Sequence, residues 1–154
     1  MPAFYQCQRC TACCRWPGQV RLTDTEIPRL AAFLRFSEFD FIQRFTRLSS
    51  DRRGLALQEK PNGECVFLQG NDCAVQSVKP QQCRDFPNLW RVADLEQSCR
   101  AIPIPVTPAE WRCRVAAATG RTIEDIARVA GDSSGADMPG LERSSAPFLN
   151  AEIP

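Results

Sequence analysis

Nine cysteines and no histidine in a chain of 154 residues are the strongest constraint on what this sequence can become. Four of the thiols crowd into Cys7-x2-Cys10-x2-Cys13-Cys14, and the others follow at Cys65, Cys73, Cys83, Cys99 and Cys113. Such crowding serves a core poorly, because a buried cysteine packs only as a small hydrophobe. Structural disulfides fit badly too. The count is odd, and the N-terminal run Met1-Pro2-Ala3-Phe4-Tyr5-Gln6 lacks the basic and apolar regions of a secretory signal, so a reducing cytoplasm is the expected compartment. Metal ligation or redox chemistry is the reading left.

The spacing argues for metal more strongly than for any one metal. Cys7, Cys10 and Cys13 have the separation of a ferredoxin loop, in which three thiolates hold an iron-sulfur cluster and a distant cysteine completes it. Zinc accepts CxxC pairs as readily, with four sulfurs in a tetrahedron. Cys13 and Cys14 are adjacent, and neighbouring side chains diverge. With Cys65, Cys73, Cys83 and Cys99, the eight sulfurs therefore suit either two four-thiolate sites or one cluster with structural or resolving thiols to spare. Arg9, Arg15, Arg84 and Arg100 lie beside cysteines and can offset thiolate charge. Cys113 sits inside a predicted amphipathic helix and is expected to be a small buried side chain, outside the ligand set. Glu26, Glu64, Asp72 and Asp85 are oxygen-ligand candidates whose simpler roles are caps or surface groups.

Between the cysteines the chain reads as one small α+β domain over 1–131, with short strands and helices organised around the metal site. Val20-Arg21-Leu22 alternates as a strand; Thr23-Asp24-Thr25-Glu26 opens a helix carrying Ile27, Leu30, Ala31 and Leu34, with Pro28 in its first turn. Ser37 caps a second helix with Phe41, Ile42, Phe45 and Leu48 on its apolar side. Leu55-Ala56-Leu57 is a strand, Pro61-Asn62-Gly63 a turn, and Cys65–Leu68 with Cys73–Val75 a hairpin bearing a cysteine at the start of each strand. Lys79-Pro80 starts a one-turn helix to Cys83, and Pro103, Pro105 and Pro108 mark an extended connection. Thr107-Pro108-Ala109-Glu110 caps a helix ending at Gly120, and Thr122 begins another that stops before Gly131. The N-terminal loop and the Cys65–Cys83 segment are expected to converge through shared ligation. Residues 132–154 accumulate Ser, Gly and Pro without periodicity and are expected to form a flexible tail. Nineteen basic and 18 acidic residues leave a net charge of +1, so no overall field draws nucleic acid; no segment has the apolar length of a membrane span.

These residues resemble the widespread bacterial CxxCxxCC family, the YkgJ-like cysteine-cluster or zinc- or iron-chelating domain. The resemblance runs over residues 4–99: Phe4, Cys7, Cys10, Cys13 and Cys14, then Leu22-Thr23 and Glu26-Ile27, then Cys65-x-Phe67-Leu68, Cys73 and Pro80-x2-Cys83-Arg84-x-Phe86-Pro87. It implies that eight cysteines, Cys7, Cys10, Cys13, Cys14, Cys65, Cys73, Cys83 and Cys99, are the shared metal ligands. Thr11 stands where the family usually has glycine, and Lys79 where arginine usually precedes the proline. Some relatives fuse the domain to flagellin lysine methylation, but this chain has no glycine-rich cofactor loop for that activity. The expectation is a cysteine-cluster metal-binding protein holding an iron-sulfur cluster or iron, in electron transfer or metal handling with an unidentified protein or redox partner. The alternative is a zinc-stabilised protein-interaction module. No catalytic residue is assigned.

Overall fold

The computed structural model of the protein describes residues 1–130. In chain order these form β1 (Ala3–Gln6), α1 (Ala12–Arg15), β2 (Arg21–Leu22), α2 (Glu26–Leu34), α3 (Glu38–Phe45), β3 (Thr46–Leu48), β4 (Leu55–Leu57), β5 (Leu68–Gln69), β6 (Asp72–Cys73), α4 (Gln81–Asp85), α5 (Leu95–Ser98), β7 (Ile102–Pro105), α6 (Pro108–Thr119) and α7 (Ile123–Ala130). Short antiparallel strands mixed with helices make the fold α+β, as the sequence predicts. The described chain falls into two compact units, Thr11–Cys83 and Met1–Cys10 with the chain from Arg84 onward. The expected tail, 132–154, lies outside the described residues.

In the Thr11–Cys83 unit, β2, β4 and β3 form a three-stranded antiparallel sheet with β4 central. Leu22, Ile27, Leu30, Ala31, Phe41, Leu57, Phe67 and Val75 make its core. Phe41 is wholly buried, its ring 6.3 Å from Phe67 and 5.5 Å from Phe45. Burying one such side chain contributes about 1.5–3 kcal/mol, so these phenylalanines are core, as their periodicity suggests. Ser37 caps α3 by accepting from Asp40 N at 3.1 Å. Leu48 departs from expectation: α3 ends at Phe45, the chain becomes extended, and Leu48 is left 51 % exposed in β3. The hairpin departs as well. Its strands are only two residues each, pairing Leu68 with Cys73 and Gln69 with Asp72. Cys65 therefore precedes the hairpin, in an isolated bridge to Glu59, and Cys73 ends the second strand rather than starting it.

In the other unit, β1 pairs with β7 in register Phe4↔Ile104 and Gln6↔Ile102. The segment read as an extended proline connection is thus a strand, and β1 is an element the sequence reading lacked. Prolines at 103 and 105 are tolerated because alternate residues of an antiparallel strand point their N–H groups away from the partner. Leu89, Val115 and Ile126 form the core, with Phe4, Trp111 and Ala116 against them. Thr107 and Glu110 complete a reciprocal capping box on α6, and Gly120 ends that helix at φ 73°. Asp85 is buried and receives two bonds from Arg121, at 2.9 and 2.7 Å, which raise the guanidinium's pKa further.

Candidate metal centre

Cys14 lies in the single turn of α1, which starts where Cys14 N donates to Thr11 O at 3.0 Å. Thr11 itself is left-handed, with φ 62° and ψ 6°, and is buried. Glycine adopts that conformation without strain, whereas a β-branched residue does so at a cost of about 1 kcal/mol. Arg15 then holds the loop against two other cysteine segments. Its guanidinium donates to Glu64 Oε1 at 2.8 Å, beside Cys65, and to Gly70 O and Asn71 Oδ1 at 3.0 Å, in the turn before Cys73. Cys65 N also donates to Cys14 O at 2.8 Å.

The fourth segment is fixed by Glu26. One carboxylate oxygen accepts from Thr23 N at 2.7 Å, the other from Gln81 N at 2.6 Å, so the residue that starts α2 also anchors the start of α4. Gln82 bonds Arg21 N and Gln19 O, continuing the clamp alongside β2. Cys83 follows directly, its N–H on Pro80 O at 3.0 Å.

Electrostatics show that these four thiols share one neighbourhood. A hydrogen bond from Cys13 lowers Cys14 to about 7 from an ordinary 9.0, with Lys79 and Arg15 assisting against burial. Burial pushes Cys65 up to about 11, and the Cys14 and Cys73 sulfurs push the same way. Cys73 is raised by burial and by Cys14; Cys83 is raised by burial, then by Cys65, Cys14 and Cys73. The chain has two lysines, and both oppose this repulsion: Lys79 at Cys14, Cys73 and Cys83, and Lys60, whose ammonium donates to Leu68 O, at Cys65. Sequence reasoning looked to arginines for this role. Arg15 does lower Cys14, and the half-buried lysines carried no local signal beyond their rarity.

Of the other predicted ligands, Cys10 and Cys99 face each other with sulfurs 4.0 Å apart. Burial, ahead of Cys10 and Cys7, pushes up the Cys99 thiol. Cys7 is exposed and accepts from Arg9 N at 3.4 Å; Cys13 is exposed beside Cys14. The convergence expected of the N-terminal loop with Cys65–Cys83 is thus carried by Cys14. Cys113 is exposed, not buried as expected, because α6 turns Val115 and Thr119 inward and Cys113 lies two positions from Val115, on another side of the helix. The carboxylates take the simpler roles: Glu26 and Asp72 accept backbone N–H groups, Glu64 pairs with Arg15, and Asp85 with Arg121.

Among the described residues no three Cys, Asp or Glu side chains stand at preformed metal-site spacing. The donor set nonetheless suits a metal: four thiols, no imidazole in the chain, and one sulfur already inclined to ionise are the chemistry that zinc and iron select. A small cysteine-rich metal-chelating domain is the class this defines. The chain belongs to the CxxCxxCC family, described as a putative zinc- or iron-chelating domain, which matches residues 6–100. It is a metal-binding cysteine-cluster protein. No solved structure matches it. Among the described residues no helix is long and apolar enough to cross a membrane.

Proposed function

We propose that Cys14, Cys65, Cys73 and Cys83 hold one thiolate-ligated metal centre, and that its occupant is iron, as an ion or an iron-sulfur cluster, serving electron transfer or metal handling. The observation that carries the centre is the gathering of four thiols from four separate segments, with Cys65, Cys73 and Cys83 each feeling the charge of Cys14. Bound there, iron would supply a one-electron couple. Four thiolates would leave a net charge of about −1 around ferric iron and about −2 around ferrous iron, so reduction adds negative charge to the site. Lys60 and Lys79 favour that reduced state, which is the support for iron. The partner in this reading is a redox protein, and the compartment is the cytoplasm, where nine thiols stay reduced.

A zinc-stabilised interaction module is the second reading. It is favoured by the segment from Cys65 to Cys83, whose two-residue strands and single helical turns have little regular structure to hold them. Anaerobic purification with iron, zinc and acid-labile sulfide analysis separates the two. Visible absorption with iron that disappears in Cys83→Ser supports the first. Colourless protein with one zinc supports the second, and an absence of both metals after reconstitution rejects the centre.

A further inference from the structure

Cys10 and Cys99 belong to the other compact unit and are held by a different device. Eighty-nine positions separate them in sequence, yet their sulfurs are in contact at 4.0 Å. The β1–β7 ladder causes this: its last pair is Gln6↔Ile102, so the chain leaving β1 and the chain entering β7 emerge side by side. Asn88 clamps β1, accepting from Tyr5 N at 2.8 Å and donating to Tyr5 O at 2.9 Å. Phe4 packs on the Leu89, Val115 and Ile126 core.

We propose that Cys10 and Cys99 are an oxidative modification site, a dithiol that hydrogen peroxide closes to an intrachain disulfide. A disulfide needs sulfurs at ~2.05 Å, so closure requires each to move by about 1 Å, within reach of side-chain rotation. Cys99 is extended, with φ −137° and ψ 145°, just past the end of α5, and Cys10 lies in the connection between β1 and α1. Both side chains are half-buried, open to a small oxidant. The chemistry balances. The Cys10 sulfur attacks one peroxide oxygen, the O–O bond breaks, and the sulfur becomes a sulfenic acid as one water leaves. The Cys99 sulfur then attacks the Cys10 sulfur, the S–O bond breaks, and a second water departs with the remaining proton. Two thiols have lost two electrons, and hydrogen peroxide has gained them. A dithiol reductant reverses the step by exchange.

This inference uses none of the four proposed ligands and stands independently of the metal reading. Its test takes the full chain, reduced, loaded with zinc and freed of excess metal, then exposed to hydrogen peroxide, alkylated, digested and mapped by mass spectrometry. Fragmentation localises the link, since Cys10 shares a tryptic peptide with Cys13 and Cys14. The expected result is a Cys10–Cys99 cross-link, loss of two of the nine thiols, recovery with dithiothreitol and unchanged zinc content. Cys99→Ser should abolish that cross-link; the wild-type map decides by itself if this variant does not fold. Full alkylation of Cys99 after peroxide, or a link from Cys99 to another thiol, overturns the proposal. So does a second zinc per chain that shields Cys10 and Cys99 until a chelator removes it. A cross-link in protein that never retains zinc upholds this inference while removing the metal-centre reading for zinc.

Discussion

Two groups of cysteines in one small chain are assembled by opposite means. Cys14, Cys65, Cys73 and Cys83 sit on turns and short elements, drawn together by the Arg15 fork and the Glu26 clamp. Cys10 and Cys99 flank a four-residue antiparallel ladder that has its own hydrophobic backing. The first group gathers sulfurs whose burial opposes ionisation, so its assembly is costly until a cation repays it. The second is positioned by backbone pairing. In the proposed reading, metal goes to the turn-built group and exchange chemistry to the ladder-built one.

The sharpest way to break this comparison is ligand removal. Cys83→Ser should lower metal affinity by about 4 kcal/mol or more, roughly a thousandfold, because a closed four-sulfur site opens. Cys99→Ser should leave it unchanged. Competition with a chromophoric chelator measures both, and equal losses would erase the distinction. On the ladder side, Asn88→Ala strands two backbone groups of Tyr5 and should destabilise the protein by about 2 kcal/mol, read by urea denaturation, with metal content retained.

A smaller effect of opposite sign sharpens the account of the turn-built group. Thr11→Gly relieves a left-handed β-branched residue and should stabilise by about 1 kcal/mol, even though Thr11 Oγ1 no longer accepts from Arg15. No gain in thermal midpoint would mean that the loop is not strained there.

Protonation provides a finer readout. Cys65, Cys73 and Cys83 are raised and enter binding as thiols, while Cys14, near 7, is half ionised at neutral pH. Metal must displace these protons, so affinity rises with pH. Proton release on zinc binding should be about 3.5 at pH 7 and about 3.1 at pH 8. Calorimetry in buffers of different ionisation enthalpy measures it, and a value near four at both would mean that Cys14 is not pre-ionised. The smallest effect is expected at Cys113, exposed and outside both groups: Cys113→Ser should change stability by less than about 0.5 kcal/mol and metal content not at all.

Much was legible from the chain alone. The capping box at Thr107, the Ser37 cap, the α2 and α3 periodicity and the Pro61-Asn62-Gly63 turn are local features, and local features survive folding because their partners are a few residues away. Cys113 failed because a single helical position was taken as buried without knowing which side α6 turns inward. β1 was missed because its pairing partner lies about a hundred residues on, behind prolines that read as loop.

By itself the sequence determined the donor chemistry: nine thiols, no imidazole, and a spacing that only metal or redox chemistry explains. What it left open was how those thiols divide. Adjacency along Cys7–Cys14 suggested one shared loop, yet Cys14 joins Cys65, Cys73 and Cys83 while Cys10 meets Cys99. Tertiary structure decided this, because the partners are set by a long-range ladder, an arginine fork and a buried glutamate. It also decided the role of the two lysines, whose charges act through space on thiols that sequence distance conceals.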